Sequence, residues 1–203
     1  MRLPDPFVDS AAPGFNAAKL LDMDPYITDT MPNGTVLRTK VASQYWTLDL
    51  DYPDLTESEF RLLQSSIAES KRVKTTLDVL LPQYEQFHVQ GDANTTSIAD
   101  GAAGSEVVIT NITALTGQPL VGDLFKLSNH SKVYKITKTI IVAGTWTLSL
   151  YPNLAVTTLA AKPVFNGILF EMTLEKDSLP TEDVSVDGFY RGVSIALREQ
   201  INA

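Results

Sequence analysis

The residues that could do chemistry in this 203-residue chain are two histidines, three groups of carboxylates and a scatter of serines. His88 and His130 each lack a second His or a Cys at metal-ligand spacing, and no His-Glu-x-x-His run occurs. Each therefore reads as an exposed or hydrogen-bonded structural histidine. Cysteine is absent, which removes disulfides, thiolate metal sites and a thiol nucleophile. No Gly-x-Ser-x-Gly elbow is present, and Gly101 and Gly104 are not followed by the Lys-Ser/Thr of a phosphate loop, so that segment reads as a turn. The carboxylates cluster at Asp49/Asp51, at Glu57/Glu59, and at Glu182/Asp183 with Asp187. Two facing carboxylates are what glycoside hydrolysis needs. A solvated strand face, a helix N-terminus and a surface loop account for the three groups more simply. The expectation is a protein without catalytic residues, metal or cofactor.

Bulk properties narrow the classes further. Net charge is −8, which opposes phosphate binding and argues against a nucleic-acid binder. Hydrophobic residues make up 44% and charged ones 20%, the balance of a folded chain with a core. No stretch approaches the roughly 18 apolar residues of a membrane span, so no membrane insertion is expected. Met1–Pro6 has no apolar run behind it and is read as lacking a signal peptide. The sequons at Asn33, Asn94, Asn111 and Asn129 then read as turn residues.

The elements that must position these residues follow from periodicity. The first 34 residues, rich in Pro, Asp and Gly, suggest an arm of short elements and turns. Residues 44–52 alternate: Trp46, Leu48, Leu50 and Tyr52 share one face, and Tyr45, Thr47, Asp49 and Asp51 the other. Thr56-Glu57-Ser58-Glu59 fits a capping box, and Phe60, Leu63 and Ile67 recur at helical spacing behind it, with Lys71, Arg72 and Lys74 near the far end. A short apolar run, 77–81, stops at Pro82. Between residues 89 and 162 the texture changes to short β-branched runs (106–112, 123–127, 132–138 and 145–151) broken by turn clusters, which suggests a small closed or sandwich-like β unit. Longer alternation resumes after Pro163, with Ile168, Phe170, Met172 and Leu174 on one face and Val193, Ile195 and Leu197 on another.

Strands before and after the middle stretch can pair, so residues 89–162 read as an insertion into a discontinuous domain formed by 1–88 and 163–203. Charge follows the same division. The insert carries five lysines against four acids, and the remainder carries eleven basic against twenty acidic residues. Within the insert, Tyr134, Trp146 and Tyr151 with Lys132 and Lys135 could line a ligand-binding barrel face of the kind OB folds use. Trp146 fits better in a core stripe with Leu148 and Leu150, which leaves Tyr134 and Lys135 as the candidate binding face.

Several segments together resemble the distal tail proteins of long, flexible-tailed (siphovirus) enterobacterial phages. They are Met1–Pro6, Gln44-Tyr45-Trp46 through Tyr52-Pro53, Val79-Leu80-Leu81-Pro82-Gln83-Tyr84-Glu85, Thr116-Gly117-Gln118-Pro119, Gly122–Ser128, Lys132–Thr137, Lys162–Phe170 and Gly192–Glu199. They occur in the right order over nearly the whole chain, apart from 10–35, 138–145 and 175–190. The resemblance implies a mainly β fold with one helix: a discontinuous β-sandwich ring domain plus an inserted small OB-like β-barrel. It also implies a structural protein of the virion tail tip, assembled in the host cytoplasm as a homo-hexameric ring. The ring joins the tail-tube protein to a tip hub protein, with tail fibre or collar proteins as further partners. DNA passes its channel without specific binding. The alternative is a saccharide- or fibre-binding module acting through the barrel. A basic lumen would hold DNA and an acidic one lets it slide, so Asp49 and Asp51 are the candidate channel-facing residues. The competing view puts them on the outer wall, serving solubility.

Overall fold

A computed structural model describes residues 1–81, 88–142, 144–175 and 180–201. The fold is mainly β with one α-helix among the described residues. It divides into two compact units, Met1–Leu77 with Met172–Glu199, and Asp78–Glu171 with Gln200–Ala203.

The first unit is built on strands β1 (Ala17–Met23), β4 (Tyr45–Asp51) and β15 (Ser194–Glu199) and the end of β14 (Leu169–Leu174). They lie in a five-stranded sheet of order β1-β4-β15-β14-β5, where β5 is Leu77–Leu80. The alternation in β4 becomes a two-sided strand: Trp46, Leu48 and Leu50 are buried, while Asp49 and Asp51 are half-buried. Opposite them on β15, Ile195 and Leu197 are buried and pair with Leu50 and Leu48. The β1 ladder runs from Ala17↔Asp51 to Met23↔Tyr45. The opening residues therefore hold a full strand where the sequence suggested only short elements. A separate hairpin of β2 (Tyr26–Thr30) and β3 (Val36–Lys40) follows it.

Helix α1 (Glu57–Val73) starts where the capping box places it. The Glu59 carboxylate accepts from the Thr56 N–H at 2.8 Å, and the Thr56 hydroxyl accepts from the Glu59 N–H. Phe60, Leu63 and Ile67 form its buried stripe, and Lys71 and Arg72 occupy the last turn. This stripe and the buried face of β4 and β15 are apolar surfaces of one small unit, and each needs cover from the other elements of its core. The Phe60 ring also stacks on Tyr190 at 4.1 Å between centroids. Residues 82–87, which include Pro82, lie outside the described residues.

The second unit is a nearly closed, barrel-like sheet of order β13-β10-β11-β12-β8-β7. Its strands are β7 (Ser97–Ile98), β8 (Glu106–Thr110), β10 (Leu124–Leu127), β11 (Val133–Val142), β12 (Thr145–Tyr151) and β13 (Pro163–Val164). Inside sit Val107, Phe125, Tyr134, Trp146, Leu148 and Phe165. The two edge strands are only two residues long, and loops close what the strands leave open. The Thr158 hydroxyl donates to Ala99 O at 2.7 Å and accepts from Ala102 N at 2.8 Å, while Lys162 Nζ donates to Thr96 O at 2.5 Å.

Beside the barrel sheet lies a two-stranded ribbon, β6 (Val89–Gly91) with β9 (Leu115–Gly117), in which Gly117 pairs with Val89 and Gly91 with Leu115. A Cβ at Gly91 would fall 2.2 Å from Ala114 O, and one at Gly117 would fall 2.0 Å from His88 O. Both glycines also have positive φ, +109° and +80°. Gly101 shares the +80° but has open space around it. Gly101→Ala should therefore show backbone strain alone, roughly 1 kcal/mol. Gly91→Ala and Gly117→Ala should each lower the barrel's thermal midpoint at least twice as far in unfolding scans. Equal losses at all three positions would remove the close-approach argument.

Candidate functional site

The polar face of the larger sheet brings together residues far apart in sequence. On β4, Asp49 sits between Lys19 of β1 and Ala196 of β15, and Asp51 sits between Ala17 and Ser194. One turn of the pleat away, Thr47 lies between Leu21 and Arg198. The Arg198 guanidinium lies over the Tyr45 ring at 3.9 Å. Lys19 Nζ reaches Asp51 at 3.9 Å, with both side chains open to solvent, a geometry of little energetic weight. Ala17, Ser194 and Ala196 are small, but Lys19 lies across from Asp49, so the two carboxylates share this surface with Lys19 and Arg198. Asp49 and Asp51 put negative charge on this face, and Lys19 and Arg198 stand beside them.

The other carboxylate groups resolve as the sequence suggested. Glu59 belongs to the helix cap, and the Thr56 hydroxyl and N–H hold its carboxyl below the usual range. Glu57 pairs with Arg61, and Glu182 accepts from Gln64. Asp187 is lowered chiefly by the Ser185 hydroxyl and pairs with Arg191. A general acid needs a raised pKa, and Glu59 and Asp187 move the opposite way. Among the described residues, no cluster of three or more His, Asp or Glu could hold a metal ion.

The barrel face requires a correction. Tyr134 pairs with Phe125 of β10, and both rings point inward and are fully buried. Its phenol accepts from Ala155 N at 3.0 Å and lies 2.7 Å from His130 Nε2. The ring is core and offers no exposed platform. Its neighbour Lys135, half-buried between Leu124 and Tyr151, points the other way. Trp146 is buried with Leu148 and Leu150, in the core stripe that its spacing suggested.

Both histidines have structural partners. His88 Nδ1 lies 3.1 Å from the Asp123 carboxylate, which also accepts from Leu120 N at 2.9 Å and so fixes the turn before β10. His130 is buried, as is the adjacent Ser131. Two recesses had no signal in the sequence. One of about 420 Å³ lies beside the helix C-terminus, at Ser70, Lys74 and Thr173. Another of about 260 Å³ in the second unit is bordered by Asn94, Leu115 and Asn166.

Burial lowers the His130 pKa, and the positive charges of Lys126 and Lys132 add to the effect. The neutral ring also suits the geometry, because Ala155 already donates to the phenol oxygen and the phenol proton is free for Nε2. A base whose folded pKa is depressed leaves the unfolded chain binding more protons. Stability is then complete above its ordinary value of about 6.5 and falls as pH drops below it. Thermal midpoints measured from pH 8 to pH 5 should fall on acidification, with a shallower slope in His130→Gln. An unchanged slope would show that His130 does not contribute.

Comparison with known proteins gives two family-model matches and one relative. Residues 3–84 match the model described as distal tail protein pb9, A domain, N-terminal, and residues 85–168 match distal tail protein pb9, B domain. The chain is 46% identical to distal tail protein pb9 of Escherichia phage T5, across 99% of this chain and all of that protein.

Proposed function

The chain belongs to the family of distal tail protein pb9, structural proteins of the phage tail, and from that membership we propose that it is a ring-forming adaptor at the tail tip. Its place is the virion tail, in assembly with other tail proteins. In the proposed arrangement six copies close head to tail around a channel. They join the tail-tube protein on one side to the tip hub on the other, and the protein works by assembly and passive conduction rather than catalysis. The observation that carries this reading is the match to one phage tail protein over both units, end to end.

The ring is assigned to the discontinuous part, 1–88 with 163–203, and the barrel of 89–162 is an insert into it. The unit with the excess of acidic residues, which carries Asp49 and Asp51, is then the one that lines the channel. Asp49 and Asp51 project from its sheet without a cation tightly bound to either, which suits a lumen that DNA must leave without sticking. With the Tyr134 ring in the barrel core, no observation favours saccharide binding over a structural role for the insert.

Two experiments test these assignments. Electron microscopy of assembled tails should show six copies in one ring, with Asp49 and Asp51 facing the axis. A lumen lined mainly by Lys and Arg, or a single copy per tail, overturns the reading. Replacing 89–162 by a short Gly/Ser linker should leave a first unit that unfolds cooperatively, because loop closure depends only weakly on length. Loss of cooperative unfolding in that protein would mean that the two parts share a core.

A further inference from the structure

The edge strand of the barrel, β13, presents main-chain groups that its own unit does not use. On one side β13 pairs with β10, through Lys126↔Val164 and Leu127↔Pro163, and Lys162 O accepts from Ser128 N at 2.9 Å. Main-chain groups alternate sides along a strand. Lys162 and Val164 therefore address β10, while Pro163 and Phe165 address the open edge. Pro163 suits that place, since it has no N–H to leave unpaired. Phe165 is different. It is only 5% exposed, yet neither its N–H nor its C=O forms a hydrogen bond among the described residues. Buried main-chain groups are almost always paired, so this donor and acceptor call for a partner from outside the unit.

The space beside that edge is the recess of about 260 Å³, with Pro163, Phe165 and Asn166 on one side and Val89, Gly91 and Asn94 on the other. Val89 O accepts from Asn166 Nδ2 at 2.8 Å, so a side-chain amide stands where the N–H of an adjacent strand would be. Asp92 is the one charged residue in the lining. Its carboxylate is held in place, accepting from Asn94 N and Asn94 Nδ2 at 3.0 Å each, and it forms no ion pair among the described residues.

We propose that this recess receives an extended segment of another tail polypeptide, added as a strand at the β13 edge, with a lysine or arginine of the segment against Asp92. An extended chain offers one donor and one acceptor on the same side at every second residue, which is what Phe165 N–H and C=O require. The cation follows from the fixed, uncompensated carboxylate. A saccharide fits less well, because it needs an aromatic face to stack on. The Phe165 ring is turned into the core instead, 5.5 Å from Phe125 and 6.0 Å from Trp146. The inference rests on membership of a phage tail and does not depend on the ring.

The test places a benzoylphenylalanine photo-crosslinker at the exposed position 94 of the full chain and irradiates assembled tails. The expected adduct joins this chain to a different tail protein, within a few residues of a lysine or arginine. An adduct to any copy of this chain, or no adduct, overturns the proposal. Asp92→Asn keeps an acceptor for Asn94 N but loses the charge, and it should lower the adduct yield at least fivefold. An unchanged yield overturns the basic segment. Hydrogen exchange gives a reading without the crosslinker: the Phe165 amide should exchange at least tenfold more slowly in assembled tails than in the purified chain. Equal exchange overturns strand addition. Slowing by host lipopolysaccharide added to the purified chain, with no protein adduct in tails, overturns it in favour of a saccharide.

Discussion

Residues 45–51 and 194–199 come from opposite ends of the chain and form the ladder on which the first unit rests. The pairs run from Ser194↔Asp51 to Arg198↔Thr47, and they bury Leu48, Leu50, Ile195 and Leu197 on one side. The Glu199 carboxylate adds a buried bond, accepting from Trp46 N at 3.0 Å. With no cysteine in the chain, hydrogen bonds and apolar burial hold this contact by themselves. Its cost is the entropy of closing a long loop, which grows only logarithmically with length. Removing 89–162 would about halve that loop and change the closure term by only about 0.6 kcal/mol. A second unit can therefore sit in the middle of the first at almost no thermodynamic penalty. The penalty is kinetic, since distant pairings form slowly.

What was legible in the sequence is what a local rule controls. The capping box at Thr56 and Glu59 is a four-residue device, and it formed as read. The alternation of 44–52 was legible because Trp46, Leu48 and Leu50 are buried on one face of β4, whereas Tyr45, Asp49 and Asp51 on the other are half-buried and only Thr47 there is buried. The same reasoning explains β1. It is an edge strand with no buried residue on either face, so burial imposes no alternation, and Leu20 and Leu21 stand side by side. In β11 the register shifts between Ile136 and Lys138, and the shift breaks the period at the point where the sequence reading ended the strand.

The candidate sites divide in the same way. Asp49 and Asp51 were placed on the solvated face by period alone, and the face has them. Tyr134 was misplaced because a tyrosine in a strand looks the same from either side. Its inward choice is decided by a partner for the phenol, and that partner is the Ala155 backbone with His130. Neither contact leaves a mark at position 134. The bonds around Thr158 are equally hidden, since they join backbone groups more than fifty residues away to one hydroxyl.

The two units differ in how much they leave unsatisfied. The barrel reduces its edges to two-residue strands and seals the gap with Thr158 and Lys162, which removes most free backbone from its rim. The first unit keeps a seven-residue edge strand, β1, and extends it into a ribbon with no core. The capacity for self-association is thus concentrated in the unit assigned to the ring. Electrostatics opposes that role, because each copy carries −8 and like charges resist being gathered around an axis. Screening at physiological salt shortens this repulsion to about 8 Å. Apolar burial is not screened. Contacts that gather acidic copies therefore have to rest on buried apolar area more than on paired charges.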